Sequence, residues 1–153
     1  MAATFEAPVD VAAIARDASV RIERVVVPAS PISMHAPVEV KLRATFDSLA
    51  LDRCYWLTDL APSGLAPTDR WLSIGMGAYD SEAEGPWWVD GNRVSFGACP
   101  DSLDKGAVSR TIEMAYWARV VMPGTFRWEP ALIHASGVPD RGALIPETVV
   151  EIH

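Results

Sequence analysis

Hydrophobic and polar residues alternate along much of this chain. Val38, Val40, Leu42, Ala44 and Phe46 interleave with Glu39, Lys41, Arg43 and Thr45. Side chains point to opposite faces at successive strand positions, so this alternation predicts a strand with one face on a core and one in water. Val20–Val27 begins the same way and stops at Pro28. Cys54–Asp59 is a third strand candidate, closed by the turn residues of Ala61-Pro62-Ser63-Gly64. From Arg110 to Met122, the residues Ile112, Met114, Tyr116, Ala118, Val120 and Met122 share one face. Pro123-Gly124 then makes a turn.

Trp87-Trp88-Val89, Asp90-Gly91-Asn92 and Arg93-Val94-Ser95-Phe96 read as a hairpin, since an Asp-Gly pair between apolar alternations favours a tight turn. Phe126, Trp128 and Leu132 continue in one further strand, where Pro130 points to an edge or a bulge. Thr148–Ile152 is the last strand. The pattern predicts an all-β fold, an antiparallel immunoglobulin-like β-sandwich of seven to eight strands over residues 19–153. Residues 1–18 read as a lead-in or linker, with a short helix over Val9–Arg16 capped by Asp10.

Composition narrows the function classes. The 153 residues suffice for one domain, and half of them are hydrophobic, enough to fill a core. A net charge of -7 without a basic stripe gives no electrostatic footprint for nucleic acid or anionic lipid. No apolar run is long enough to insert in a membrane as a helix. Met1 to Glu6 has neither a basic nor an apolar leader pattern, so no signal peptide is expected in the sequence as it stands.

Few residues offer chemistry. Cys54 and Cys99 fit neither a redox pair nor a zinc knuckle, and read either as one disulfide or as two buried thiols. His35, His134 and His153 are scattered, and satisfied or surface histidines are the simpler reading than a metal site. Ser63 lies in a turn, without a nucleophile elbow around it. Neither a phosphate loop nor a calcium-loop spacing is present, so the acidic stretch from Asp80 to Gly85 reads as a solvated loop. No catalytic residue, metal or cofactor is expected, and a small hydrolase has no support. Trp87 and Trp88, being adjacent, should face opposite sides of a strand, one in the core and one outside. An exposed indole there, with Trp71 and Trp117 as candidates to join it, would suit stacking on a sugar ring, but packing of these tryptophans in the core is the simpler reading.

The second half carries a resemblance. Tyr116-Trp117-Ala118-Arg119-Val120-Val121-Met122-Pro123-Gly124-Thr125-Phe126, followed by Pro130-Ala131, is similar to a stretch near the C-terminus of bacterial alpha-2-macroglobulin-like proteins. Ser19–Arg24, Val38–Thr45 and Tyr55–Leu65 resemble earlier strands of the same domain, in the same order. Asp59, Pro62, Gly64, Tyr116, Pro123 and Gly124 are the fold-determining positions of that match. Pro62 fixes φ at its turn and Gly64 would permit a positive φ, while Pro123-Gly124 suits a type II turn. Residues 133–140 depart from the family pattern.

The resemblance implies a non-catalytic, receptor-binding-like sandwich from a large, secreted or cell-envelope, protease-trapping protein. Its partners would be neighbouring domains of that chain, with a protease or a cell-surface ligand as further candidates. Neither cysteine lies in the family's thioester motif C-x-E-Q, so covalent trapping is not expected of this chain. On this reading the 153 residues are one domain of a longer chain. Export would supply the oxidising setting for a Cys54–Cys99 bridge. The alternative reading is a carbohydrate-binding or adhesin-type module using Trp87 and Trp88.

Overall fold

The computed structural model describes residues 14–68, 83–100 and 108–153. These form twelve strands and no helix: β1 (Ala15–Arg16), β2 (Val20–Val27), β3 (Pro37–Asp47), β4 (Tyr55–Leu60), β5 (Leu65–Thr68), β6 (Trp88–Asp90), β7 (Arg93–Ala98), β8 (Ser109–Val120), β9 (Gly124–Trp128), β10 (Ala131–Ala135), β11 (Arg141–Ile145) and β12 (Thr148–Ile152). One sheet runs β1-β11-β10-β4-β7-β6, a second β2-β3-β8-β5, and β12 pairs with β9. All strand pairs are antiparallel except β1 with β11.

The all-β sandwich follows from the alternation. In β3, Val38, Val40, Leu42, Ala44 and Phe46 are fully buried, and the residues between them are not. The register sets Val38 against Ala118, Val40 against Tyr116, and Ala44 against Ile112. At these three positions a larger side chain meets a smaller one, while Leu42 meets Met114 between them, and all of these side chains are buried. Across the sandwich Phe46 packs on Tyr55 and Phe96 on Tyr116, with ring centroids 4.8 and 6.3 Å apart.

The strands outnumber the seven to eight that the pattern predicts. Leu65–Thr68 forms the edge strand β5, where Pro67 is tolerated. The run around Pro130 is two strands rather than one. β9 pairs with β12, and after Glu129-Pro130 the chain enters the six-stranded sheet as β10, beside β4 and β11. A proline cannot donate to a ladder, which suits a change of sheet. Ala15 and Arg16, the end of the segment read as a short helix, are β1, while residues 1–13 lie outside the described residues. Met122, read as sharing the inward face of β8, lies beyond that strand and is exposed.

Candidate functional site

A buried polar cluster joins the sheets. Asp59 takes an inward position on β4, in phase with Tyr55 and Leu57, and is completely buried. Arg24 takes an inward position on β2, in phase with Val20, Ile22 and Val26. Its Nη2 donates to Asp59 Oδ1 at 2.5 Å and to the Glu129 carbonyl at 3.0 Å. Tyr116 Oη on β8 donates to Asp59 Oδ2 at 2.6 Å, and Trp128 Nε1 on β9 to Oδ1 at 3.3 Å. The Arg24 guanidinium lies over the Trp128 ring, 4.6 Å from its centroid. Burial, and after it the Asp59 charge, push the Tyr116 phenol well above its ordinary value. Both carboxylate oxygens of Asp59 are engaged inside the protein, while Arg24 Nε and Nη1 are buried without a partner, and the cluster ties the sheets together through Nη2, the phenol and the indole. Of these four, sequence reasoning singled out Asp59 and Tyr116 and missed Arg24 and Trp128. The available signal was an arginine and an aspartate, each in the apolar phase of its strand.

The turn positions serve the same join. Pro62 and Gly64 are buried. Gly64 does not have the positive φ expected of it. Close packing is what its missing Cβ allows: an added one would collide with the Phe126 ring and come within 2.8 Å of Ile152 Cδ1. Gly124, after Pro123, does have a positive φ, +144°. Asn92 Nδ2, in the β6–β7 hairpin, lies within hydrogen-bond reach of the carbonyls of Ala61, Pro62 and Leu65, at 2.8, 3.0 and 3.2 Å. One hairpin thereby staples the neighbouring turn.

The two outer faces of the sandwich differ. On the four-stranded sheet, Glu113 binds Arg43 at 2.7 Å and Lys41 at 3.5 Å, while Arg43 reaches Glu23 at 3.5 Å. The Arg43 hydrogen bond, against a smaller opposing effect of burial, holds the Glu113 carboxyl below its usual range. Trp117 lies on this sheet, opposite Glu39 and Thr68, and does not join the other tryptophans. Trp71 lies outside the described residues.

On the six-stranded sheet the outer face is aromatic. Trp87 and Trp88 are 61% and 48% exposed. They do not straddle the sheet as their adjacency predicts, because β6 begins only at Trp88. Val89 takes the inward position, and both indoles lie against the half-buried Trp56 of β4. Trp87 meets Trp56 edge-on at 5.1 Å and 83°, and Trp88 meets it at 5.7 Å and 45°. Trp87 reaches Trp56 across Gly97, where an added Cβ would stand 2.6 Å from the indole. Trp56 and Gly97 are register partners, as are Trp56 and His134. The exposed Leu60 and Leu144 extend the apolar character of this face. One register step beyond Tyr55 and Ala98, Cys54 and Cys99 form a disulfide that links the ends of β4 and β7.

Other candidates are modest. A cleft of about 260 Å³ lies between Asp17, Ser19, Asp47, Leu49, Arg53 and Arg141. Its acids are engaged: Asp17 accepts from Ser19 Oγ at 2.6 Å, and Asp47 from the Leu49 amide at 2.9 Å. Burial opposes ionisation of Asp17, but the Ser19 hydrogen bonds and the two arginines outweigh it and hold its carboxyl low. Among the described residues, no three His, Cys, Asp or Glu side chains are placed to hold a metal ion. His134 Nδ1 donates to the Ala135 carbonyl at 2.9 Å. No helix in the described residues is long and apolar enough to cross a membrane. The acidic stretch 80–85 is described only from residue 83 onward.

No protein-family profile and no curated protein matches this sequence. Solved structures do match its fold. Escherichia coli alpha-2-macroglobulin, in a structure spanning domain MG7 to the C-terminus, aligns at a TM-score of 0.61 and 17% identity over 88% of this chain and 23% of that one. Alpha-2-macroglobulin from Salmonella aligns at 0.60 and 18% identity, covering 88% of this chain and 9% of that one. BcpA, the major pilin subunit of Bacillus cereus, aligns at 0.54 and 14% identity, over 87% and 39%. The class is thus an all-β sandwich of the kind found near the C-terminus of bacterial alpha-2-macroglobulins. At these identities the likeness establishes the fold. The chain spans less than half the length of each of these structures.

Proposed function

We propose that this chain is a non-catalytic β-sandwich module of a larger secreted or cell-envelope protein, and that it works by contact through the outer face of its six-stranded sheet. The observation that carries the reading is the contrast between the two outer faces. Interlocked ion pairs suit one to water, around the half-buried Trp117 and with Val27 exposed at the end of its edge strand. The other exposes Trp87, Trp88, Leu60 and Leu144 around Trp56. A concentration of large apolar groups on one side is the mark of a contact surface rather than of a solvated one.

The disulfide supports an oxidising compartment. The fold likeness to parts of longer chains supports neighbouring domains as partners. The sequence resemblance to alpha-2-macroglobulin-like proteins is the ground for placing them in a protease-trapping protein. A protease or a cell-surface ligand is the second kind of partner proposed. The experiment is an immunoblot of the source cells, fractionated into cytoplasm, envelope and medium, with antibody raised against this chain. The expected result is a polypeptide several times longer than 153 residues in the envelope or medium. A band of only this length, or one confined to the cytoplasm, overturns the reading.

A further inference from the structure

We infer that the face around Trp56, Trp87 and Trp88 binds a carbohydrate, specifically an oligosaccharide of β-linked, gluco-configured pyranose rings. The inference rests on the contact reading above and names the partner of that surface. Trp87 and Trp88 each pack on Trp56, at 5.1 and 5.7 Å, which leaves no room for a cation or a side chain between Trp56 and either of them. A ligand must lie on them. The rings stand at 83° and 45° to Trp56, which breaks the face into separate facets. A second sheet, which presents a continuous layer, fits such facets poorly. A pyranose ring fits one facet, because an all-equatorial sugar offers a flat patch of C–H groups that stacks on an indole.

Polar groups flank the aromatic facets. Asp90 shares the outward phase with Trp88, and Arg93 is its partner across the hairpin. Neither enters an ion pair among the described residues, and both are exposed. A free carboxylate beside a free guanidinium can accept from one sugar hydroxyl and donate to the next. On the far side lies His134, whose Nδ1 proton is given to the Ala135 carbonyl, leaving Nε2 as an acceptor in the neutral ring. From β6 to β10 the sheet spans three strand spacings, about 14 Å, the length of two to three linked pyranose rings.

The test is titration of the chain with cellohexaose and with chitohexaose, followed by NMR of the indole Nε1–H signals. Trp87→Ala, Trp88→Ala and Asp90→Asn are compared with Trp117→Phe on the opposite sheet. The expected result is saturable shifts of the Trp87 and Trp88 signals with at least one of the two sugars. Either alanine substitution should weaken binding about tenfold or more, and Asp90→Asn severalfold, while Trp117→Phe leaves it unchanged. Thermal midpoints verify that each variant is folded. No shift with either sugar at millimolar concentration overturns the inference, as does binding that survives both alanine substitutions. The contact reading fails separately, through the length and location of the native polypeptide.

Discussion

The Tyr116 phenol donates to Asp59 Oδ2 at 2.6 Å, from the four-stranded sheet to the six-stranded one. Both groups are buried, and Arg24 and Trp128 complete the shell of the carboxylate. Removing different members of this cluster should therefore have unequal effects. Tyr116→Phe leaves Asp59 with two other donors, and should cost about 1–3 kcal/mol. Asp59→Ala leaves the Arg24 guanidinium buried without its anion, and should cost about 3–5 kcal/mol. Urea unfolding of the two variants measures the order, and equal losses would contradict the role given to Arg24.

The same contact predicts an alkaline limit. The unfolded phenol releases its proton near pH 10, whereas in the folded chain burial, with Asp59 beside it, keeps Tyr116 protonated to higher pH. The stabilisation is thus full below about pH 10 and is lost as pH rises above it. Urea midpoints collected from about pH 8 to 11 should fall in the wild type and flatten in Tyr116→Phe. A residual slope is expected from Tyr55, whose phenol is also raised, chiefly by burial.

Gly64 should not accept a side chain. Its Cβ would enter the space of Phe126 and Ile152. Gly64→Ala is expected to lose about 1–3 kcal/mol by overpacking. Phe126→Leu, which shortens the obstructing side chain, should recover part of that loss when combined with it. Additive losses in a double-mutant cycle would contradict the collision.

Asn92 holds a turn that is distant in sequence. Asn92→Ala removes the donor to three carbonyls while leaving the Ala61 amide bonded to the residue-92 carbonyl. The expected cost is about 1–2 kcal/mol. Faster hydrogen exchange should appear in the Ala61–Leu65 turn, and protection unchanged there would rule out the staple.

Reduction of Cys54–Cys99 should loosen the fold through the unfolded state. The bridge closes a loop with a sequence separation of 45, for which chain entropy gives about 4 kcal/mol. Both half-cystines are exposed, so a phosphine reductant can reach them in the folded protein. Urea midpoints with and without reductant should differ accordingly, and Cys54→Ala with Cys99→Ala should match the reduced chain.

The long strands were legible because one face meets the core and the other meets water. β3 and β8 announce themselves by strict alternation, and the β6–β7 hairpin by Asp90-Gly91. β5, β10 and β11 were not read as separate strands, since Leu65-Ala66-Pro67-Thr68 and Arg141-Gly142-Ala143-Leu144-Ile145 are short and their turn-type residues break the period. The outer aromatic face was half legible. Trp87 and Trp88 stood out by type, but the strand's start between them decided which way each points. Trp56 was hidden as the polar-phase member of β4, and its partnership depends on contacts between strands distant in sequence.

The Cys54–Cys99 bridge has one more consequence, mechanical rather than thermodynamic. A pull on the two ends of the chain passes from β4 to the far side of β7 through sulfur, not through the intervening backbone. The 45-residue separation therefore stays out of the extending contour, hiding about 150 Å of length. Trp56, Trp87, Trp88 and Gly97 all lie inside that shielded loop. Tension along the chain would unravel the flanking strands and still leave these residues in a closed covalent ring.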